Sequence, residues 1–303
     1  MKVLVLGATG CLGHQVYKYL CRDKTLQVLG TSREPDDNLQ HLMYGRCFHL
    51  FDATKGGIEE KLRSLHSMFG PFDYIINSIG MIKPAINGNN PASIARAIRV
   101  NAEFPHKLAD CFKESKCKII HPSTDCVFSG DREMTAYYEK DTPDATDTYG
   151  RTKALGECLR VMNIRASIIG PELHTRRSLL EWFLNEEAET VNGYTNHFWN
   201  GMTTLQWARI VYNIIQMNRW KAGIQHFYSN PVTKAELLQI FKEEFTNVGV
   251  TTPAVLPIEA PEKKSMLLNT LNYGYVAGFT IPSLRTQVRE LARMMHGDNN
   301  DQT

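Results

Sequence analysis

Tyr149 and Lys153 stand four residues apart in the string DTYGRTKALGE, Asp147 to Glu157. Residues at that spacing share a helix face, so a helical string would set a phenol beside an ammonium. A free phenol titrates near 10 and is a poor acid–base catalyst at neutral pH unless a neighbouring charge stabilises its anion. Lys153 is the expected source of that charge, and the expected effect is a lowered tyrosine pKa. The spacing also arises by chance, so its meaning depends on what lies upstream.

Upstream lies a glycine loop. GATGCLG puts Gly7, Gly10 and Gly13 between an apolar run and a helical one, with Thr9, Cys11 and Leu12 among them. In a dinucleotide-binding turn the first glycine permits the tight bend. The second lets the backbone approach a diphosphate, and the third lets the helix pack on the sheet. The diphosphate then meets the positive end of the helix dipole. An ordinary strand–turn–helix is the competing reading, and the spacing is G-x-x-G-x-x-G. The second apolar run ends in GTSREP, with Ser32 and Arg33 where NAD-binding chains place an acid. An arginine there suits the extra phosphate of NADP, so NADP(H) is expected over NAD(H), with a solvated loop arginine as the alternative. Asp52, followed by Ala53, ends the third run and either meets the adenine edge or closes a turn.

Apolar runs alternate with amphipathic stretches through these motifs. KVLVLG, LQVLGTS, RCFHLFD, DYIINS, KCKIIHPS and IRASIIG read as strands. Helices are expected from Cys11 to about Arg22, Gly57 to Met68 and Pro91 to Lys113, and at Tyr149. Residues 32–46 are expected to contain little helix. Continuous hydrophobic strands alternating with helices suit a parallel sheet covered on both faces. The fold class is therefore α/β: a Rossmann-like, doubly wound parallel sheet of about seven strands with a smaller, mixed C-terminal substrate lobe. The sheet domain is expected over residues 1–170, with 199–228 returning to it. Residues 171–198 and 229–296 form the lobe, and 297–303 a frayed tail.

The chain has 303 residues, 34 basic and 32 acidic, for a net charge of +2. That balance gives no electrostatic footprint for nucleic acid or an anionic membrane. No apolar run reaches the length of a membrane span. The start, MKVLVLGATG, reads as a buried strand rather than a signal peptide. Seven cysteines without a C-x-x-C pair suit free thiols in a reducing cytoplasm. Ten histidines show no metal-ligand spacing, and no metal is expected.

NSIG (Asn77 to Gly80), VNAEFPHKLA (Val100 to Ala109) and HPSTDCVFSG (His121 to Gly130) complete an ordered pattern with Tyr149 and Lys153. Over roughly the first 170 residues the chain resembles the extended short-chain dehydrogenase/reductase superfamily. Within it the strings look most like the dTDP-4-dehydrorhamnose reductase group, which reduces 4-keto sugar nucleotides. The resemblance implies that Tyr149 protonates the sugar oxygen as hydride reaches its carbon. Lys153 would serve both the tyrosine and the nicotinamide ribose, and Thr124 would bond the same sugar oxygen, with Ser123 as its substitute. It places Ser78, Ile79, Gly80 and Asn101 at the cofactor; Asn101 either supports Lys153 through a water or is satisfied by backbone. It places Lys83, Ser123, Asp125, Cys126, Val127 and Phe128 at the substrate. Dehydratases of the superfamily follow the threonine with an Asp-Glu pair, and the reductases have tyrosine where this chain has Cys126. A cysteine is compatible with reduction and hostile to dehydration, since a thiol cannot stand in for a carboxylate acid–base without a strongly altered pKa.

In the C-terminal half, Trp199 and Asn200 precede a helix capped by Thr203 or Thr204. They either cover a sugar or serve as core. Arg165, Arg176 and Arg177 are candidates for the substrate diphosphate, Arg176 foremost. The expected partners are a nucleotide sugar, dTDP- or UDP-linked, and as one option a second copy of the chain. An NADPH-dependent 4-keto reductase for deoxysugar and surface polysaccharide synthesis leads. An NAD-retaining epimerase and a non-catalytic, dinucleotide-binding regulatory subunit are the alternatives.

Overall fold

Valines, leucines and isoleucines with no solvent exposure fill the first strand and its neighbours, which is why a single sheet dominates the architecture. The computed structural model describes residues 1–34, 48–132, 135–174 and 176–296. The expected crossover at 32–46 lies largely outside them, as does the tail at 297–303. The elements that carry the candidate site are β1 (Lys2–Leu6), α1 (Cys11–Cys21), β2 (Gln27–Ser32), β3 (Phe48–Leu50), α2 (Ile58–Phe69), β4 (Tyr74–Asn77), α3 (Pro91–Ala97), α4 (Phe104–Cys111), β5 (Lys118–Ser123), α5 (Thr148–Leu155) and β6 (Met162–Arg165). Further on come β7 (Ile168–Ile169), α6 (Leu179–Leu184), β8 (Thr190–Tyr194), β9 (His197–Trp199), β10 (Met202–Thr203), α7 (Thr204–Gln216) and β11 (Gly223–His226). The last elements are β12 (Val232–Thr233), α8 (Lys234–Thr246), β13 (Ala254–Ile258), β14 (Lys264–Met266), α9 (Tyr273–Val276) and α10 (Leu284–His296).

The main sheet has seven strands in the order β11-β6-β5-β4-β1-β2-β3. The pairings from β3 through β6 are all parallel, with Val3 against Val28 on one side of β1 and Leu4 against Ile75 on the other. This is the doubly wound Rossmann order, in which ligands bind beyond the carboxyl ends of the strands where the winding reverses. Here that point lies between β1 and β4. Leu4, Leu6, Phe51, Leu62, Ile75, Phe104 and Leu108 share one buried cluster beneath it.

The stretch expected as one helix from Pro91 to Lys113 has a wider turn in its middle. Ile98–Glu103 is π-helical, between α3 and α4. Such turns arise where one residue too many must fit a helix, and they recur at functional sites. IRASIIG divides into β6 and β7 rather than forming one strand.

The chain forms two compact units. The first comprises Met1–Phe128, Thr142–Arg165 and Ala208–Gln225; the second comprises Ser129–Asp141, Ala166–Trp207 and His226–Thr303. Residues 129–141, expected in the sheet domain, join the second unit because Tyr137 and Gly130 exchange backbone bonds with Leu267 and Ser265. In that unit β13 pairs in parallel with β8, and β9 lies between β12 and β14. No helix among the described residues is long and apolar enough to cross a membrane.

Candidate active site

The glycine loop owes its shape to two of its three glycines. Gly7 has φ +73°, and a Cβ there would meet the Ile79 side chain at 2.9 Å. A Cβ at Gly13 would lie 2.0 Å from the Gly7 carbonyl oxygen, so α1 rests directly on the loop. Gly10 differs. It is exposed, and a Cβ there would meet only the Gly7 carbonyl, at an ordinary 3.4 Å. The fold does not require glycine at position 10, whereas a ligand approaching the backbone would. No side chain caps α1 at Gly10, and that helix end carries the partial positive charge suited to a diphosphate. Thr31 was not singled out in the sequence, yet its hydroxyl accepts the Gly7 N–H at 3.0 Å and holds the loop to β2. Thr9 and Cys11 are half-buried, and the Leu12 side chain packs inward.

Arg33 is exposed at the end of β2. The Ser32 hydroxyl donates to the Glu34 carbonyl at 2.8 Å. The Asp52 carboxylate accepts the Thr54 N–H and hydroxyl at 2.8 and 2.7 Å, which makes it a turn-forming aspartate. Burial works to raise its pKa, but the Thr54 bonds and the charges of Lys55 and Arg33 outweigh it and hold the carboxyl low. The Asp52–Arg33 interaction places both at the same edge, and Ala53 beside them belongs to the core. Beyond β4, the Ser78 hydroxyl is buried with no protein partner, Ile79 packs on Gly7, and Gly80 is exposed. Of the two readings of Asn101, the structure carries the backbone one. Its amide exchanges bonds with the Met81 N–H (2.8 Å) and carbonyl (3.0 Å) and reaches the Thr152 hydroxyl at 3.3 Å.

Tyr149 and Lys153 lie on α5, which Asp147 caps by accepting the Gly150 N–H at 3.0 Å. Two glycines seat this helix, and the sequence reading missed both. A Cβ at Gly150 would lie 2.1 Å from the Cys126 carbonyl oxygen, and one at Gly156 would lie 2.0 Å from that of Asn101. The helix is thereby clamped between the turn after β5 and the π-helical segment. Thr124 is buried; its hydroxyl accepts the Cys126 N–H at 3.1 Å, donates to Asp125 at 3.0 Å and interacts with the Tyr149 phenol. Thr124 and Tyr149 therefore lie side by side.

The electrostatics differ from the expectation. Burial raises the Tyr149 pKa above its ordinary value, the neighbouring Cys126, Asp125 and Asp147 raise it further, and the Thr124 bond opposes them. Lys153 is not among the main groups acting on it, and the Lys153 ammonium donates to the Pro122 carbonyl at 2.6 Å. Burial in turn lowers Lys153 to about 8, against an opposing pull from Glu157. Burial and Asp125 push the Cys126 thiol up to about 12, so it is a neutral group at physiological pH.

Several expected substrate contacts have other work. The Ser123 hydroxyl donates to Glu157 at 2.6 Å, so it is committed away from a substitute role for Thr124. Arg165, a diphosphate candidate in the sequence, is buried and grips the same carboxylate through two bonds of 2.6 Å, with its guanidinium over the Phe128 ring. The Val127 and Phe128 side chains are core, and Asp125 is buried. Lys83 is exposed and pairs with Asp147 at 2.9 Å, beside the start of α5.

The second unit, taken by itself, gives Trp199 and Asn200 packing roles. Trp199 is 2% exposed and lies against Gly201, with the Lys234 ammonium over its ring. The Asn200 amide exchanges bonds with the Leu268 backbone at 2.8 and 3.0 Å. Of the two readings of Trp199 and Asn200, this burial and pairing favour the core one. Thr203 is the cap of α7, accepting the Gln206 N–H. Arg176 is exposed. Among the described residues no cluster of His, Cys, Asp or Glu could hold a metal ion, and every described cysteine is a free thiol.

The sequence profile of the RmlD substrate binding domain matches residues 1–169, the span that builds this site. The chain belongs to that family. A curated relative from Haloferax volcanii, named "Probable low-salt glycan biosynthesis reductase Agl14", is 32% identical over 173 residues. The match takes in 56% of this chain and 52% of the relative, so the chain spans about half the length of the curated relative it matches. Among solved structures, a dTDP-4-dehydrorhamnose reductase from Clostridium acetobutylicum superposes with a TM-score of 0.74 at 20% identity, covering 97% of this chain and 99% of that one. The Bacillus anthracis dTDP-4-dehydrorhamnose reductase in complex with NADP gives 0.73 at 18%, covering 96% and 98%. A Bacillus cereus UDP-glucuronic acid 4-epimerase also gives 0.73, at 14%, with the same coverage. At these identities the structural likenesses establish the fold, the α/β architecture read from the sequence.

Proposed function

We propose that this RmlD-family chain is an NADP(H)-dependent reductase of the 4-keto group of a nucleotide-linked 6-deoxy sugar, on dTDP or UDP. The observation that carries it is the Tyr149 phenol, which lies beside the Thr124 hydroxyl and one helical turn before Lys153. Reduction of a ketone needs a proton donor beside the oxygen that becomes basic, and a nearby charge to stabilise the phenolate left behind. The neutral Cys126 thiol supplies neither the acid nor the base of an elimination. The names of the Haloferax relative and of the two reductase structures point the same way.

NADPH, when bound, would supply the hydride. The residues that fit it are the Gly7–Gly13 loop with the α1 N-terminus for the diphosphate, and Arg33 for the extra phosphate. Asp52 would flank the adenosine end, Ser78 to Gly80 would line the loop after β4, and Lys153 would face the ribose. The exposed Gly10 and the unpartnered Ser78 hydroxyl are the local signs of such a fit. Thr124 orients the sugar carbonyl and Tyr149 gives its proton to the same oxygen. In the first unit Lys83 is an exposed cation available to the substrate's charged portion, and in the second unit Arg176 and Arg177 are both exposed.

Single-turnover oxidation of NADPH, followed by absorbance against a panel of dTDP- and UDP-linked 4-keto sugars, tests the proposal. Tyr149→Phe should leave NADPH binding intact and slow turnover by about 10² to 10⁴. Thr124→Ala should impair it more mildly. Wild-type rates in Tyr149→Phe would remove the tyrosine from the chemistry. No turnover on any sugar, with the cofactor bound, would favour a regulatory subunit.

A further inference from the structure

Behind Lys153 lies a buried polar pair that the reductase reading does not use. His121 and Asn77 are 1% and 0% exposed at the carboxyl ends of β5 and β4. The Asn77 Nδ2 is 3.0 Å from the His121 Nδ1, and the His121 Nε2 is 3.4 Å from the Lys153 Nζ. The Asn77 amide cannot turn over freely, because its Oδ1 accepts the Ile79 N–H at 3.3 Å. The Asn77 NH₂ therefore donates to Nδ1. A neutral imidazole has one donor and one acceptor nitrogen, so Nε2 carries the hydrogen. That N–H points at the lysine nitrogen. It opposes an ammonium, donor against donor, and bonds well only to a neutral amine.

Burial first, then the Lys153 charge and more weakly His106, push the His121 pKa well below its ordinary value against an opposing bond to the Asn77 backbone, and keep the ring neutral. The other groups about Lys153 are the Pro122 carbonyl and Glu157, whose carboxylate is already shared with Arg165 and Ser123. We propose that His121, with its tautomer set by Asn77, is a positioning residue for Lys153 that weakens the lysine's hold on its proton and so sets the alkaline edge of turnover. The effect on turnover rests on the reductase reading; the effect on the lysine does not.

The test is an NMR titration of the full chain carrying ¹⁵N-labelled lysine, with the Lys153 signal assigned through Lys153→Arg. Wild-type Lys153 should titrate near 8, and an ordinary value near 10.5 would overturn the proposal. His121→Gln offers a carbonyl that can turn to the ammonium. Asn77→Leu leaves the imidazole but frees Nε2 to become the acceptor. Each should raise the Lys153 titration by about one pH unit, the scale of one hydrogen bond gained by the charged form. The alkaline limb of kcat should move with it, while KM for NADPH at neutral pH changes little. The variants alter different side chains, so either one that folds decides. A lysine that titrates at the wild-type pH in a folded variant, whatever the loss in Tm, overturns the proposal. Shifted titration without turnover on any sugar nucleotide leaves it standing and refutes the reductase reading.

Discussion

Lys153→Met should change how stability depends on pH, by an amount that follows from the burial of the ammonium. The Lys153 pKa falls from 10.5 to about 8 on folding, and each pH unit corresponds to about 1.4 kcal/mol. Below pH 8 both folded and unfolded chains hold the proton, and the folded chain bears the full penalty of a buried charge, about 3 kcal/mol. Between pH 8 and 10.5 the unfolded chain holds the proton and the folded chain does not. The unfolded state then binds more protons, so stability rises with pH across that window. Methionine has no proton to lose. Relative to Lys153→Met, the wild type should gain about 1 kcal/mol between pH 7 and 9 and about 2 kcal/mol by pH 10. The bond to the Pro122 carbonyl is lost in the variant at every pH and drops out of that difference, as do the other lysines. Urea unfolding of both proteins at pH 7, 8, 9 and 10 measures it. Parallel stability curves would show that the ammonium is not penalised by burial.

Gly10→Val should abolish dinucleotide binding while leaving Tm nearly unchanged, since its Cβ meets only one oxygen at 3.4 Å; Gly13→Ala, whose Cβ would lie 2.0 Å from the Gly7 carbonyl, should destabilise the fold itself. Calorimetric titration with NADPH and a thermal melt separate the two. Arg33→Ala should weaken NADPH by about 1–3 kcal/mol and NADH hardly at all, and equal affinities in the wild type would contradict the assignment of that arginine. Glu157→Gln should destabilise by about 3–5 kcal/mol, because it leaves the Arg165 guanidinium buried without its carboxylate. Pairing it with Arg165→Met should recover much of the loss in a denaturation series.

The parts of the site that lie at turns were legible in the sequence, because a turn shows itself through residue type. Gly7 and Gly13 advertise a bend and a close approach, and the structure uses them so. The helix bearing Tyr149 and Lys153 was readable from the spacing of those two residues, while its Asp147 cap came only with the structure. What the sequence hid was pairing across distance. Arg165 looks like a solvated charge at a strand end until Glu157 and Ser123 are brought to it, and His121 looks like a polar strand residue until Asn77 and Lys153 meet it. Gly150 and Gly156 carried no visible signal in the sequence, since the backbone carbonyls that forbid a Cβ come from elements 24 and 55 residues earlier, at Cys126 and Asn101. The strands β13 and β14 went unread for a similar reason. The exposure of β13 does not alternate, β14 is only three residues long, and their partners, β8 and β9, lie far back in the chain.

The order of the main sheet also bears on how the chain leaves the ribosome. Its strand β6 ends at Arg165, and the neighbour that covers its outer edge, β11, does not begin until Gly223. At roughly 5–20 residues per second, the nascent sheet waits on the order of 3–12 seconds with that edge unpaired. An open edge is a template for pairing with another chain. Translational pauses between the two strands would lengthen the exposure, and rapid synthesis or a chaperone on the emerging segment would shorten its consequences. Yield in cells should then depend on codon usage within residues 166–222 more steeply than on codon usage after β11.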